Sequence, residues 1–275
     1  MTAATAATGP APSPPAPRPV LRSVAVPSEH GGWGLTLEPI LVGAIIAPTA
    51  TTVCLGIAAI LAFLARTPLK VLLVDAHRGR HLPRTRTAAA VATFEILAAT
   101  VLVALALATA SAPFWWPAVV AGPLIAVELW FDMMSRSRRL APELCGAVGI
   151  AAIAAAAILA NGEPTKVAIA VWLVLAARAV AAVIMVRNQV RCLHGRRSQP
   201  AAVITGDITA LVVVSVAVVV EPVVLLGAIT VASTVVAQHL LHRLAPTGRA
   251  VVLGLRQSGF GLVVAIATAA GVLAL

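Results

Sequence analysis

The sequence predicts an all-helical, polytopic membrane protein with about nine transmembrane helices. Of its 275 residues, 60% are hydrophobic and 11% charged, whereas a soluble domain carries roughly 25% charged residues. Apolar stretches also recur at the length a bilayer demands, since a hydrocarbon core about 30 Å thick takes about 20 helical residues to cross. These stretches are continuous and do not alternate with polar residues, which argues against barrel strands.

Residues 1–27 are rich in Ala, Pro and Thr and contain no hydrophobic run. They read as a disordered cytoplasmic tail ahead of one membrane domain, 28–275, and not as a signal peptide. Spans are expected at 33–50, 52–74, 88–109, 114–131, 141–160, 165–186, 205–220, 222–241 and 250–274. Polar or Pro-containing breaks separate them, the slightest being Glu221-Pro222 between the seventh and eighth. Ala, Val, Leu and Gly dominate, so periodicity does not mark the buried face, but residues this small let helices approach closely.

Basic residues set the orientation. Seventeen of the 20 fall on one side: Arg18, Arg22, Arg66, Lys70, Arg78, Arg80, Arg84, Arg86, Arg136, Arg138, Arg139, Arg187, Arg191, Arg196, Arg197, Arg243 and Arg249. Lys166 stands alone opposite, and Arg178 and Arg256 lie within spans. Positive loops stay inside, so the N-terminus is expected in the cytoplasm and the C-terminus outside, in a multi-pass cell-membrane protein. The net charge of +10 suits anionic headgroups, making the lipid bilayer the expected partner and nucleic acid not one. Cys54, Cys145 and Cys192 are scattered, forming neither a metal spacing nor a disulfide set.

Charges within the spans are costly and normally face a partner or a wet cavity. Glu38, Glu95, Glu128, Asp207, Arg178 and Arg256 all fall in the cytoplasmic half, each about 8–13 Å or less from that interface at 1.5 Å per residue. Either they line one polar cavity open to the cytoplasm, or they form buried pairs, such as a Glu with Arg178 or Arg256, that register helix against helix. Glu38, Glu95 and Glu128 are the candidate acids or bases if chemistry occurs. Glu29 and His30 at the inner mouth either line the site or cap the first helix. Trp33, Trp115, Trp116 and Trp130 are expected as interfacial anchors, and Trp172 as packing.

The stretch PSEHGGWGLTLEPILVGAI, residues 27–45, resembles the opening helix of the YwiC-like family of bacterial membrane proteins, with Pro27, Glu29, His30, Gly31, Gly32 and Trp33 matching its signature. RTPLK at 66–70 and LGLRQSGFG at 253–261 resemble the same family. A more distant resemblance is to the UbiA superfamily of intramembrane prenyltransferases. It implies a nine-helix bundle with a cytoplasm-facing cavity, and two Asp-rich motifs after the second and sixth helices that hold magnesium against an isoprenyl diphosphate. RTPLKVLLVDAHRGRHLPRT and RNQVRCLHGRRS fall at those two places, and SRSRRLAPELCGAVGIA resembles the start of that superfamily's fifth helix. Of the first motif only Asp75 is acidic, and Arg187, Asn188 and Arg191 stand where the second places carboxylates.

Mg²⁺ takes oxygen ligands, so no cofactor and no metal site is expected. Arginine forks can grip phosphate oxygens instead. Arg187, Arg191 and His194 share one helical face by their i, i+4, i+7 spacing, and the candidate contacts for a substrate are Glu29, His30, Glu38, Arg66, Asp75, Arg78, Arg178, Arg187, Asn188, Arg191 and Arg256. Clustered arginines just inside a membrane equally serve topology alone. The expected function is binding of an amphipathic anionic ligand, an isoprenoid or other lipid, at the cytoplasmic side, with transferase chemistry left open. A transporter or lipid-handling protein, or an assembly subunit, is the alternative.

Overall fold

A computed structural model describes residues 30–80, 82–246 and 248–274. The expected tail, 1–27, lies outside the described residues. Among the described residues the chain forms nine α-helices and no strand. They are α1 (His30–Ile46), α2 (Ala50–His77), α3 (Pro83–Thr109), α4 (Trp116–Met133), α5 (Leu140–Ala160), α6 (Thr165–Leu193), α7 (Pro200–Val220), α8 (Leu225–Leu244) and α9 (Ala250–Leu273), with a 3₁₀ turn at Pro222–Val224 before α8. Eight are long and apolar enough to cross a membrane, and α1 is a shorter apolar helix.

The nine expected spans are these nine helices, with shifted ends. α2 and α6 run past the apolar stretch to His77 and Leu193, and α3 and α7 begin about five residues early at Pro83 and Pro200. Lys and Arg are good helix formers and proline suits the first turn, so a helix outlasts the hydrophobicity that marks its membrane portion. α1 stops at Ile46 because Pro48 follows. The N-cap of α2 is Thr49, whose hydroxyl accepts the Thr52 amide at 3.3 Å.

Four helices end alike. Beyond α2, α5 and α6 the chain turns left-handed at Gly79 (φ 61°), Gly162 (φ 86°) and Gly195 (φ 68°). The following amide reaches back five residues: Arg80 to Asp75, Glu163 to Ile158, Arg196 to Arg191. Glycine adopts that conformation without a Cβ penalty. α4 ends by the same motif, Arg136 N–H donating to the Phe131 carbonyl at 2.8 Å, but the left-handed residue is Ser135 (φ 55°).

α5 and α6 form the centre of the bundle and are its most buried helices. α1 packs against α2, α5, α6 and α9, α3 lies on α2, and α7 on α6. The core is largely alanine, with Ala154, Ala155, Ala168, Ala170 and Ala177 fully buried. By contrast Phe94 (70% exposed), Leu97 (60%) and Val219 (84%) point outward from α3 and α7, the inverse of a soluble protein and suited to lipid.

Successive helices alternate in direction. One end therefore gathers the connections at 78–82, 134–139, 194–199 and 245–249, tied by Arg78 to Ser135 (3.1 Å) and by Arg187 to the Arg138 carbonyl (3.0 Å). The other end is tied by Thr51 to Thr109 (2.8 Å) and by Ser111 to the Ala160 carbonyl (2.8 Å). The first carries nearly all the loop arginines and is called the basic end below.

Two of the four tryptophans expected as anchors have aromatic neighbours. Trp33 meets the Phe63 ring edge-on at 5.0 Å between centroids. Trp116 lies 6.1 Å from Trp172, which donates its indole N–H to the Val148 carbonyl at 2.9 Å. No local spacing announces either partner, Phe63 half-buried and Trp172 buried. Trp115 and Trp130 are outward, 62% and 60% exposed. The three cysteines are free thiols.

Candidate functional site

The charged groups expected to share one hollow separate into distinct clusters. The largest sits at the basic end between α2 and α4. Arg66 donates from Nε to Asp132 Oδ2 at 3.0 Å and lies 2.9 Å from Glu128 Oε1 through Nη1. Lys70 stands 3.5 Å from Asp132 Oδ1 and donates to Ser137 Oγ at 2.6 Å. The spacing explains the pairing: Arg66 and Lys70 are one helical turn apart on α2, as are Glu128 and Asp132 on α4, so two cations face two carboxylates across one helix contact. Gly146 of α5 makes room, since a Cβ there would overlap the Glu128 carboxyl group.

Above this network opens a pocket of ≈ 320 Å³, lined by Lys70, Ser135, Arg136, Ser137, Arg138 and Arg139. Its lining holds four cations and two hydroxyls and no carboxylate, because Asp132, fully buried, lies behind Lys70. Ser135 holds a backbone conformation that glycine takes at the three matching helix ends, at a cost of about 1–2 kcal/mol for a residue with a Cβ. What serine adds there is its hydroxyl, which accepts from Arg78 Nη2 and faces the pocket. Arg187 reaches the same loop from α6, donating to the Arg138 carbonyl and to Glu143 Oε2 (2.7 Å). The structure thus brings together Arg66, Arg78, Arg187 and Glu128 of the expected residues. It adds Lys70, Asp132, Ser135, Ser137, Arg136, Arg138, Arg139 and Glu143, which the sequence reading left out. The Arg66/Lys70 and Glu128/Asp132 repeats were the available signal.

Other expected residues lie elsewhere. Asp75, buried, is held by Arg84 (3.0 Å) and by the Thr85 hydroxyl (2.7 Å), so the acid of the first Asp-rich position ties the end of α2 to the first turn of α3. Asn188 caps the turn after α6, its Oδ1 accepting from Ser198 Oγ (3.2 Å) and the Gln199 amide (2.7 Å). Arg187 and Arg191 lie within α6, whereas His194 follows its end and contacts the Val190 carbonyl. Arg191 Nε is buried without a hydrogen-bond partner. Arg256 caps α8, donating to the Ala245 carbonyl at 2.9 Å. Asp207 pairs with His239 at 2.7 Å. Glu95 is buried on α3, and its Oε2 has no hydrogen-bond partner among the described residues. Glu29 lies outside the described residues, and His30 is described only as the first residue of α1.

The second ionic cluster is internal. Glu38 of α1 stands 3.6 Å from Arg178 Nη2 of α6, and that nitrogen donates to the Gln257 carbonyl of α9 at 2.6 Å. The Gln257 side chain donates to Gln238 of α8 at 3.0 Å. A Cβ at Gly261 would overlap the Glu38 carboxylate, so glycine there is what admits the acid.

No three His, Cys, Asp or Glu side chains among the described residues come together as a metal site would need. Asp75, already engaged by Arg84 and Thr85, does not offer the free oxygens that magnesium takes from a protein.

Fold and clusters together define a multi-pass, all-helical membrane protein with a cationic pocket at one end. Residues 26–160, from α1 through α5 and including the whole α2–α4 network, match the model of the YwiC-like protein family. Over this segment the chain is similar to that family. No curated protein and no solved structure matches the chain.

Proposed function

We propose that the entire chain is a YwiC-like membrane protein that binds an anionic headgroup, the phosphate or diphosphate of an isoprenoid or other lipid, in the pocket at the basic end. One observation carries this reading: the pocket is lined by Lys70, Arg136, Arg138, Arg139, Ser135 and Ser137 with no acidic side chain. Guanidinium forks and hydroxyls are the donors that phosphate oxygens take. The network beneath keeps Lys70 and Arg66 in place, while the loop arginines above hold the ligand. Adjacent outward apolar surface gives a lipid tail its solvent. The positive loops favour the cytoplasm for this end, where anionic lipids are most abundant. The position after α4, before the helix resembling the fifth of the UbiA superfamily, supports the isoprenoid among lipid tails. No catalytic step is assigned, because the acids nearest the pocket are each held by a cation.

The test is binding of farnesyl diphosphate, inorganic pyrophosphate and farnesol to the purified protein in nanodiscs with a chelator present. Binding of both phosphorylated probes, weakened about tenfold or more by Arg139→Glu or by Lys70→Ala, is expected. Affinity unchanged by both substitutions ends the proposal. Pyrophosphate binding as tight as the farnesyl compound would leave the headgroup and remove the lipid.

A further inference from the structure

Two serines stand among the four cations that line the basic pocket, and their hydrogen bonds fix what each can offer a ligand. Lys70 Nζ donates to Ser137 Oγ at 2.6 Å, and Arg78 Nη2 donates to Ser135 Oγ at 3.1 Å. An ammonium or a guanidinium has no lone pair, so the hydroxyl oxygen is the acceptor in both bonds. Each hydroxyl proton is left to donate elsewhere. Ser135 keeps its hydroxyl at this place in a left-handed backbone (φ 55°), where Gly79, Gly162 and Gly195 stand at the matching helix ends. Such strain collects at ligand sites.

The remaining lining also offers donors. Lys70 has three N–H groups, of which one goes to Ser137, and its ammonium stands 3.5 Å from Asp132 Oδ1 behind the wall. Arg136, Arg138 and Arg139 are exposed. The loop carbonyls of Arg136 and Arg138 already accept, from the Arg139 amide at 3.2 Å and from Arg187 Nη1 at 3.0 Å.

We propose that Ser135 and Ser137 make this pocket selective for a terminal phosphate, the unesterified end of a lipid phosphomonoester or diphosphate, against the phosphodiester headgroups of ordinary phospholipids. The proposal rests on the reading of the pocket as an anionic headgroup site. A terminal phosphate carries nearly two negative charges and three acceptor oxygens, whereas a phosphodiester carries one charge and two such oxygens. Arginine forks attract both, because a fork needs only two oxygens. The additional oxygen is the one the serine protons take. A cationic pocket at a bilayer surface meets phosphodiester lipid in excess, and arginines alone do not turn it away.

Farnesyl phosphate, its methyl ester and inorganic phosphate are the probes, titrated into the protein in phosphatidylcholine nanodiscs with a chelator present, at about pH 8, where a phosphomonoester is a dianion. Farnesyl phosphate should bind about tenfold or more tightly than its methyl ester, as one further hydrogen bond to a charged group implies. Ser135→Ala and Ser137→Ala should each shrink that ratio about threefold or more, and Ser137→Thr, which keeps a hydroxyl, should retain it. A serine that served only the loop's shape would weaken both esters together and leave the ratio standing. Equal affinity for the two esters overturns the selectivity while the headgroup site survives, and a ratio unchanged in both alanine variants overturns the role of the serines. Inorganic phosphate binding as tightly as farnesyl phosphate would move the site from lipid to free phosphate. Binding of no phosphate at all removes the headgroup site and this selectivity with it.

Discussion

At the basic end, Arg66 and Lys70 keep 23% and 35% of their side chains exposed, while the carboxylates behind them, Glu128 and Asp132, are 10% and 0% exposed. In the interior, Arg178 and Glu38 are both buried, at 1% and 8%. The same two charge types therefore meet under different solvation. At the end, the long cationic stems reach buried acids and close contacts of 2.9–3.0 Å while their other donors stay wet. Inside, one carboxylate stands 3.6 Å from a guanidinium that is closed off from solvent. Water reaches the cations of the first cluster, whose buried Asp132 Oδ1 has Lys70 Nζ only at 3.5 Å, and it does not reach those of the second.

This contrast can be broken or sharpened by substitution. The largest effect is expected for Arg178→Gln, which strands Glu38 without its cation: about 3–5 kcal/mol of stability lost, read by titrating detergent-solubilised protein into a denaturing detergent. Adding Glu38→Gln should recover much of that loss. A cost below that of the end-cluster changes would erase the distinction.

Next comes Gly261→Ala, which drives a methyl into the Glu38 carboxylate and should cost about 1–3 kcal/mol in the same unfolding assay. Gly146→Ala, against Glu128, should cost less because Glu128 sits nearer the open end and its side chain can swing. Equal costs would mean that both acids are equally confined.

Asp132→Asn removes the negative charge shared by Arg66 and Lys70 and leaves one acceptor oxygen between them. Their partial exposure limits the loss to about 1 kcal/mol, while pyrophosphate binding in the pocket should tighten as a negative charge is lost behind Lys70.

The smallest change is Ser135→Gly. It should raise stability by about 0.5–1 kcal/mol by relieving the left-handed serine and weaken pyrophosphate binding through loss of the hydroxyl. A glycine variant that binds as well as the parent would show that the serine has no role in the pocket.

Much of the fold could be read from the chain. Among the described residues nine apolar stretches became nine helices, because span length is set by bilayer thickness, a property of the solvent rather than of any contact. The ends were less legible. α2 and α6 outlast their apolar runs, since helix propensity and hydrophobicity are separate properties that part company at Lys70, Asp75, Arg187 and Arg191. Of the site, the sequence marked Arg66, Arg78, Arg187 and Glu128. Asp132 and Ser135 carry no motif, Lys70 lies in RTPLK without a role marked for it, and the importance of all three comes from lying opposite residues more than fifty positions away.

What the sequence determined alone was the class of the protein, the number of its helices and the gathering of arginines at alternate turns. All three follow from the cost of placing charge and unpaired backbone in hydrocarbon. Which acid meets which base was decided only in three dimensions. Glu38 could have paired with either interior arginine, and it faces Arg178 even though α1 packs more closely on α9, because Arg256 turns to the end of α8. Such pairing depends on helix rotation and on glycine-sized gaps such as Gly261, and an alanine- and valine-rich surface leaves no periodic pattern from which that rotation can be read.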